Sequence, residues 1–316
     1  MTTVTRLGAF TLGLAAIFGA AYAVGRVVDP ADPVAQSVPE VVRTPGPTTS
    51  DETSDLVPGG LLVSDRGYTL EPVVAPSGEF AFRIDGPDGR PVTRYDVAHD
   101  KRMHLIVARR DLSGFRHVHP DLAPDGTWRV DTPLAGAGQW RAFADFTPTG
   151  GEPLTLGVDV AVPGEPTEAP LPAPATSTTV DGYTVTLAGA PQPGRTSALT
   201  LTVSRAGQPV TDLEPYLGAY GHLVALRRGD LAYLHVHPDG TPDDGRTPPG
   251  PAVTFLAEVP SSGTYRLYLD FQHGGRVHTA EFTVVVGTST TTTAPTPSGP
   301  APTGSADHGT PGHGHN

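Results

Sequence analysis

The chain has no cysteine, two methionines and two tryptophans in 316 residues, and only 17% of its residues are charged. The missing thiol excludes disulfides, thiolate nucleophiles, Cys-ligated zinc, iron–sulfur clusters and a blue-copper centre. Basic residues are also scarce. Lys and Arg total 21 against 33 Asp and Glu, a net charge of −12. That balance argues against a nucleic-acid partner held by phosphate neutralisation. Outside the first 28 residues no stretch shows the apolar spacing of an amphipathic helix. Glycine (38) and proline (35) are plentiful, and they cluster in segments that read as linkers.

Residues 7–28 form an apolar run broken only by Gly, Thr11, Tyr22 and Arg26. About 20 such residues cross a bilayer as a helix. Arg6 and the α-amino group precede the run, which keeps the N-terminus cytoplasmic and exports the rest. Ala21-Tyr22-Ala23 offers a signal-peptidase site. The run continues to Val27-Val28, so residues 1–28 are taken as an uncleaved anchor, with the cleaved leader as alternative. A Pro-, Thr- and acid-rich stalk follows at 29–57. A Pro-rich linker at 163–179 and a tail at 288–316, ending DHGTPGHGHN, separate and follow two segments, 58–162 and 180–287.

Both segments predict short strands. In the first these fall at 68–71, 79–84, 103–109, 127–131, 139–146 and 154–160, divided by turns such as Gly86-Pro87-Asp88-Gly89. The expected fold is all-β: two tandem immunoglobulin-like (cupredoxin- or CopC-like) sandwiches after a transmembrane helix. The segments are repeats. A shift of 118 lays residues 91–120 on 209–238 with 11 identities in 30 and no gap. It superposes His104 on His222 and His117-Val118-His119-Pro120 on His235-Val236-His237-Pro238. A shift of 125 then lays Gly138–Phe146 on Gly263–Phe271. His99 aligns with Leu217, which makes it a poor candidate for a shared role.

The matched histidines suggest a site. Residues 103–109 and 115–119 have the spacing of a β-hairpin, and His117 and His119 share a strand face. If the loop is Asp111-Leu112, paired residues sum to 223 and His104 sits opposite His119. If it is Asp111 to Gly114, the sum is 225 and His104 is a diagonal neighbour. Either register gathers the three rings within ~5–8 Å; an even sum disperses them. Three neutral imidazoles suit Cu(II) or Zn(II). The metal-ligand candidates are His104, His117 and His119 in one repeat and His222, His235 and His237 in the other, with Asp145 and Asp270 as fourth ligands. Met103 could add an axial thioether. In the alternative the histidines are structural; the competing reading for the aspartates is that Asp145 pairs with Arg141 and Asp270 with Arg266, four residues earlier on the same face. Gly-spaced His308, His313 and His315 could bind metal loosely.

The run HLIVARRDLSGFRHVHPDLAPDGTWRVDTPLAGAGQWRAFADFTP, with the leader LGAFTLGLAAIFGAAYAVGR, resembles a family of exported actinobacterial β-sandwich proteins associated with copper and other heavy metals. That resemblance implies metal association outside the cytoplasm. Phe115-Arg-His117-Val-His119 is also similar to the His-x-His strand of copper–zinc superoxide dismutases. No histidine lies between His119 and His222, however, so that family's bridging and zinc-ligating histidines have no counterpart. The expected function is therefore a membrane-anchored, extracytoplasmic metal-binding protein. It would buffer or deliver Cu(II) or Zn(II), with neither catalysis nor nucleic acid involved. The alternative is a cell-surface adhesion or scaffolding module.

Overall fold

A computed structural model describes residues 57–75, 78–131 and 134–287. The expected anchor, nearly all of the stalk and the tail lie outside them. The first repeat holds β1 (Ser64–Asp65), β2 (Tyr68–Val73), β3 (Phe80–Asp85), β4 (His104–Arg109), β5 (Arg116–Val118), β6 (Asp121–Leu122), β7 (Thr127–Val130), β8 (Gly138–Phe146) and β9 (Leu154–Val162). One sheet runs β1-β2-β3-β7-β6 and the other β5-β4-β8-β9. Between them lies a core that includes Leu70, Phe82, Ile84, Leu105, Trp128, Trp140 and Leu156.

The second repeat holds β10 (Ser177–Val180), β11 (Tyr183–Ala188), β12 (Thr196–Arg205), β13 (Gln208–Pro209), β14 (His222–Arg227), β15 (Tyr233–Pro238), β16 (Ala252–Glu258), β17 (Gly263–His273) and β18 (Arg276–Val286). Its strands follow β10-β11-β12-β16-β15-β14-β17-β18, with β13 on β12. β15 pairs with β14 through Tyr233–Val236, then crosses to β16 at His237 and Pro238. In the first repeat, β5 and β6 divide the same task on either side of Pro120, which has no N–H for a ladder. All pairings between named strands are antiparallel, and the described residues contain no helix.

β4 reads His-Leu-Ile-Val-Ala-Arg and is buried from His104 through Ala108. Alternation sends Leu105 and Val107 into the sandwich core and His104, Ile106 and Ala108 to the opposite face. That second face is covered by the other repeat. Ile106, Ala108, Leu112, Phe115 and Phe143 form one apolar cluster with Val224, Leu226, Leu231, Tyr233 and Tyr268. Phe115 stacks on Tyr268 with ring centres 3.9 Å apart, and Phe143 stacks on Tyr233 at 5.4 Å. Phe115 aligns with Tyr233, and Phe143 with Tyr268. The two stacks are therefore one contact made twice, the signature of a twofold, isologous interface formed within a single chain.

Two segments seal this interface. The Pro-rich stretch 163–179 is tied down: Ala169 N–H donates to Asp111 Oδ2 at 2.8 Å, Arg109 Nη2 donates to Thr167 O at 3.1 Å, and Leu171 packs on the shared cluster. β10 begins inside this stretch, at Ser177. On the other side Gly60 N–H donates to Thr155 O, and Tyr233 N–H to Gly59 O, both at 3.0 Å. Gly60 has φ +71°, and a Cβ there would lie 2.5 Å from Phe143 Cδ1. Only glycine fits.

Truncating a buried phenylalanine costs about 3–5 kcal/mol. Phe115→Ala and Phe143→Ala should each lower the urea midpoint accordingly. The double variant should unfold in two calorimetric transitions where the parent shows one, because the repeats then melt separately. A single transition in the double variant would show that the aromatic stacks do not couple them.

Candidate metal centre

The hairpin β4–β5 pairs Leu105 with Val118 and Ile106 with His117. This is the register summing to 223, and it sets His104 across from His119. All three rings consequently leave the sandwich on the face that the second repeat covers. Ring centres lie 5.3 Å apart for His104–His117, 5.0 Å for His104–His119 and 4.9 Å for His117–His119. His104 Nδ1 is 3.1 Å from His117 Nε2 and 3.2 Å from His119 Nε2. Two nitrogens bound tetrahedrally to one ion at ~2.05 Å would be ~3.3 Å apart. Among the described residues this triad is the group of ligating side chains whose donor atoms converge closely enough to hold an ion.

The outward nitrogens fix the tautomers. His104 Nε2 lies 3.0 Å from Ala98 O, an atom that can only accept, so Nε2 carries the hydrogen and Nδ1 a lone pair. His117 Nδ1 donates to Asp270 Oδ2 at 3.0 Å, leaving a lone pair on Nε2. The 3.1 Å contact therefore brings two acceptors face to face. No placement of protons on three neutral rings relieves it: a hydrogen on His119 Nε2 satisfies His104 but not His117. A cation between them, a metal ion or a proton, does. His119 is held neutral, since burial, followed by the neighbouring His117 and His104 rings, pushes its pKa down to about 2.

Asp270 belongs to the second repeat. It pairs with His222 across β14–β17, is 4% exposed, and its other oxygen accepts from Thr279 Oγ1 at 2.6 Å. Its carboxylate thus orients a histidine of the first repeat from behind, a carboxylate–histidine arrangement typical of metal ligands. Asp145, its repeat equivalent, sits opposite His104 in the sheet and accepts from Tyr233 O–H at 3.2 Å. The sequence reading gave each repeat its own aspartate. The structure instead sends Asp270 across the interface, because the histidine face is the docking face.

The expected alternative, Asp145 with Arg141 and Asp270 with Arg266, does not form. Residues four apart on a strand are ~13 Å apart. Arg141 instead donates to Asp159 at 2.7 Å and to Gly60 O, and Arg266 to Thr283 and Glu281. Met103, 1% exposed, points into the sandwich core and away from the triad.

In the second repeat His222 is 1% exposed, and its Nε2–H donates to Tyr216 O at 2.8 Å, the counterpart of His104 on Ala98. Val224 pairs with His235, which repeats the register of the first hairpin and sets His237 across from His222. The side chains of His235 and His237 lie outside the described residues, as do His308, His313 and His315. His273 and His278 are engaged elsewhere, with Asp212, Tyr183 and Asp181.

Sequence reasoning missed one participant and one neighbour. One is the cross-repeat role of Asp270. The other is His99, whose ring lies 6.0 Å from His104 and 5.6 Å from His222. A signal was available for the first: β4 is apolar on both faces, so the face bearing the histidines had to be covered.

A search of curated proteins returned no match. Among solved structures, a DUF3823 family protein from Bacteroides uniformis is 14% identical over 63% of this chain and 94% of that one, with a TM-score of 0.20. A putative membrane anchored protein from Corynebacterium diphtheriae is 9% identical over 69% and 56%, at 0.18. A chimeric titin Z1Z2 tandem is 15% identical over 66% and 90%, at 0.17. The model that matches residues 67–164 and 178–288 places the chain in its family: it belongs to the one described as Domain of unknown function (DUF8832).

Proposed function

We propose that this protein binds a borderline divalent metal ion at the interface of its repeats, and that it buffers or delivers that ion outside the cytoplasm. One observation carries the reading: His104 Nδ1 and His117 Nε2 face each other 3.1 Å apart, both acceptors when the rings are neutral, with their outward N–H groups already spent on Ala98 O and Asp270. Three neutral nitrogens in a chain without thiolates favour Cu(II) or Zn(II). Cu(II) stands higher in the affinity order of divalent ions, and it suits an oxidising exterior. The apolar run at 7–28 supports tethering to the membrane. The reading is of reversible ligation, without turnover.

The test is calorimetric titration with Cu(II) and with Zn(II), on the full chain carrying His308→Asn, His313→Asn and His315→Asn. Saturable binding is expected, and His117→Ala with His235→Ala should abolish it. No binding in the parent would leave the histidines a docking role alone. A free-ion concentration 100 times Kd should stabilise the fold by about 2.7 kcal/mol.

Asp270→Asn tests the support behind His117. Loss of such a partner lowers metal affinity about 10–100-fold. Unchanged affinity would remove Asp270 from the site.

The metal-free protein should be acid-sensitive. Unfolded His119 takes up a proton near pH ~6.5, whereas in the fold it stays neutral down to about 2. Acid therefore favours the unfolded chain. The stabilisation is whole above ~6.5 and is lost as pH falls towards 2. Urea midpoints of chelator-treated protein should drop between pH 7 and pH 5, and His119→Asn should flatten that slope. A pH-independent midpoint would contradict a half-buried, neutral His119.

A further inference from the structure

We infer that the second repeat carries a redox-active tyrosine: Tyr183 gives one electron to an outer-sphere one-electron oxidant and, in the same step, its phenolic proton to His273. The inference is independent of the metal reading.

The group lies in the second sandwich, away from the histidine triad. Tyr183 opens β11 and is 3% exposed. His273 closes β17, where Gly274 and Gly275, at φ 64° and 72°, turn the chain back and set His273 opposite Arg276. Tyr183 Oη lies 2.7 Å from His273 Nδ1, and His273 Nε2 lies 3.1 Å from Asp212 Oδ1. A carboxylate only accepts, so in the neutral ring Nε2 carries the hydrogen and Nδ1 the lone pair. Tyr183 O–H therefore donates to a base, and a carboxylate holds that base from behind.

Burial decides what this arrangement does. The Tyr183 ring meets Phe271 edge-on with centres 5.4 Å apart, and the His278 ring lies 4.6 Å away. The Arg205 guanidinium stands over the same ring at 5.0 Å. A phenol that lost an electron and kept its proton would put a positive charge into this packing, beside a cation. A buried charge without a partner is costly. Releasing the proton with the electron avoids it. The O–H bond breaks, an N–H bond forms at His273 Nδ1, and the oxidant gains the electron. The products are a neutral phenoxyl radical and an imidazolium bonded to the Asp212 carboxylate. The proton stays inside the protein, and a radical shielded from water has fewer side reactions.

The other tyrosines set Tyr183 apart. Tyr95, Tyr265 and Tyr268 donate to the carbonyls of Val92, Ser261 and Leu112, which take up no proton. Tyr233 donates to the Asp145 carboxylate, at the longer distance of 3.2 Å. A carboxylate is also the weaker base, with an ordinary pKa of ~3.9 against ~6.5 for imidazole. The first repeat supplies an internal comparison. Tyr68 opens β2 and meets Phe146 edge-on at 6.4 Å, as Tyr183 meets Phe271. The repeat alignment puts Pro148 at the position of His273 and Arg94 at that of Asp212. The ring packing is shared; the base and its carboxylate are not.

The experiment oxidises the chelator-treated full chain with a ruthenium(III) tris-bipyridine complex generated by a laser flash. Transient absorption follows radical formation, and freeze-quench electron paramagnetic resonance identifies the ring. The parent should form a tyrosyl radical in a fast phase that slows in heavy water. Tyr183→Phe, which removes only the hydroxyl, should abolish that phase, and Tyr68→Phe should leave it intact. A positioned base contributes about 10²–10⁴-fold to a proton transfer, so His273→Asn should slow the phase about 100-fold or more. The heavy-water comparison needs no variant and stands even if a substitution disturbs folding. A fast phase that survives Tyr183→Phe, or one equally fast in His273→Asn or in heavy water, would overturn the inference and leave Tyr183, His273 and Asp212 a structural network. Neither result bears on metal binding, because the chain is tested without metal.

Discussion

Strands β4 and β14 have no solvent face. Each is buried on one side by its own sandwich and on the other by the opposite repeat, and the rest of the architecture follows from that double burial. An apolar strand with histidines on its outer face could not remain exposed. Docking the two outer faces, around the Phe115–Tyr268 and Phe143–Tyr233 stacks, removes that surface from water. The same docking buries His104 and His222 and brings Asp270 to His117. A polar cluster is tolerable there because the outward nitrogens of His104, His117 and His222 each have an acceptor. The centre is thus a product of quaternary-style packing carried out inside one chain.

Much of this was legible in the residues. The strands and the duplication follow from period-two alternation and from the repeat itself, while the hairpin register, open in the sequence between odd and even sums, was settled only by the pairing of Leu105 with Val118 that brings His104, His117 and His119 together. The partners contributed by the other repeat were not legible. Asp270 was assigned to its own repeat because sequence spacing carries no information about which sandwich faces which. The proposed Asp–Arg pairs failed for a simpler reason. Sharing a strand face is not proximity when the residues stand four apart, and Arg141 found Asp159 on the neighbouring strand instead. His99 was set aside because its repeat equivalent is leucine.

Symmetry also explains the division of labour between the ring pairs. Each stack joins a phenylalanine of the first repeat to a tyrosine of the second, so both hydroxyls sit on one side of the pseudo-dyad. Tyr268 O–H bonds Leu112 O at 2.6 Å, and Tyr233 O–H bonds Asp145. Burial raises both phenols well above the ordinary range, with Asp145 adding to the effect at Tyr233, so both remain donors. A true homodimer would have to carry the same residue on both sides. The fused chain does not.

The strap that crosses from β9 to β10, pinned at Asp111 and Arg109, has one further consequence. It holds the halves at an effective concentration that short linkers place in the millimolar range, whatever the number of molecules present. Assembly is then first order. An unlinked pair would dissociate on dilution and lose its shared carboxylate; this molecule keeps its interface at single-copy abundance.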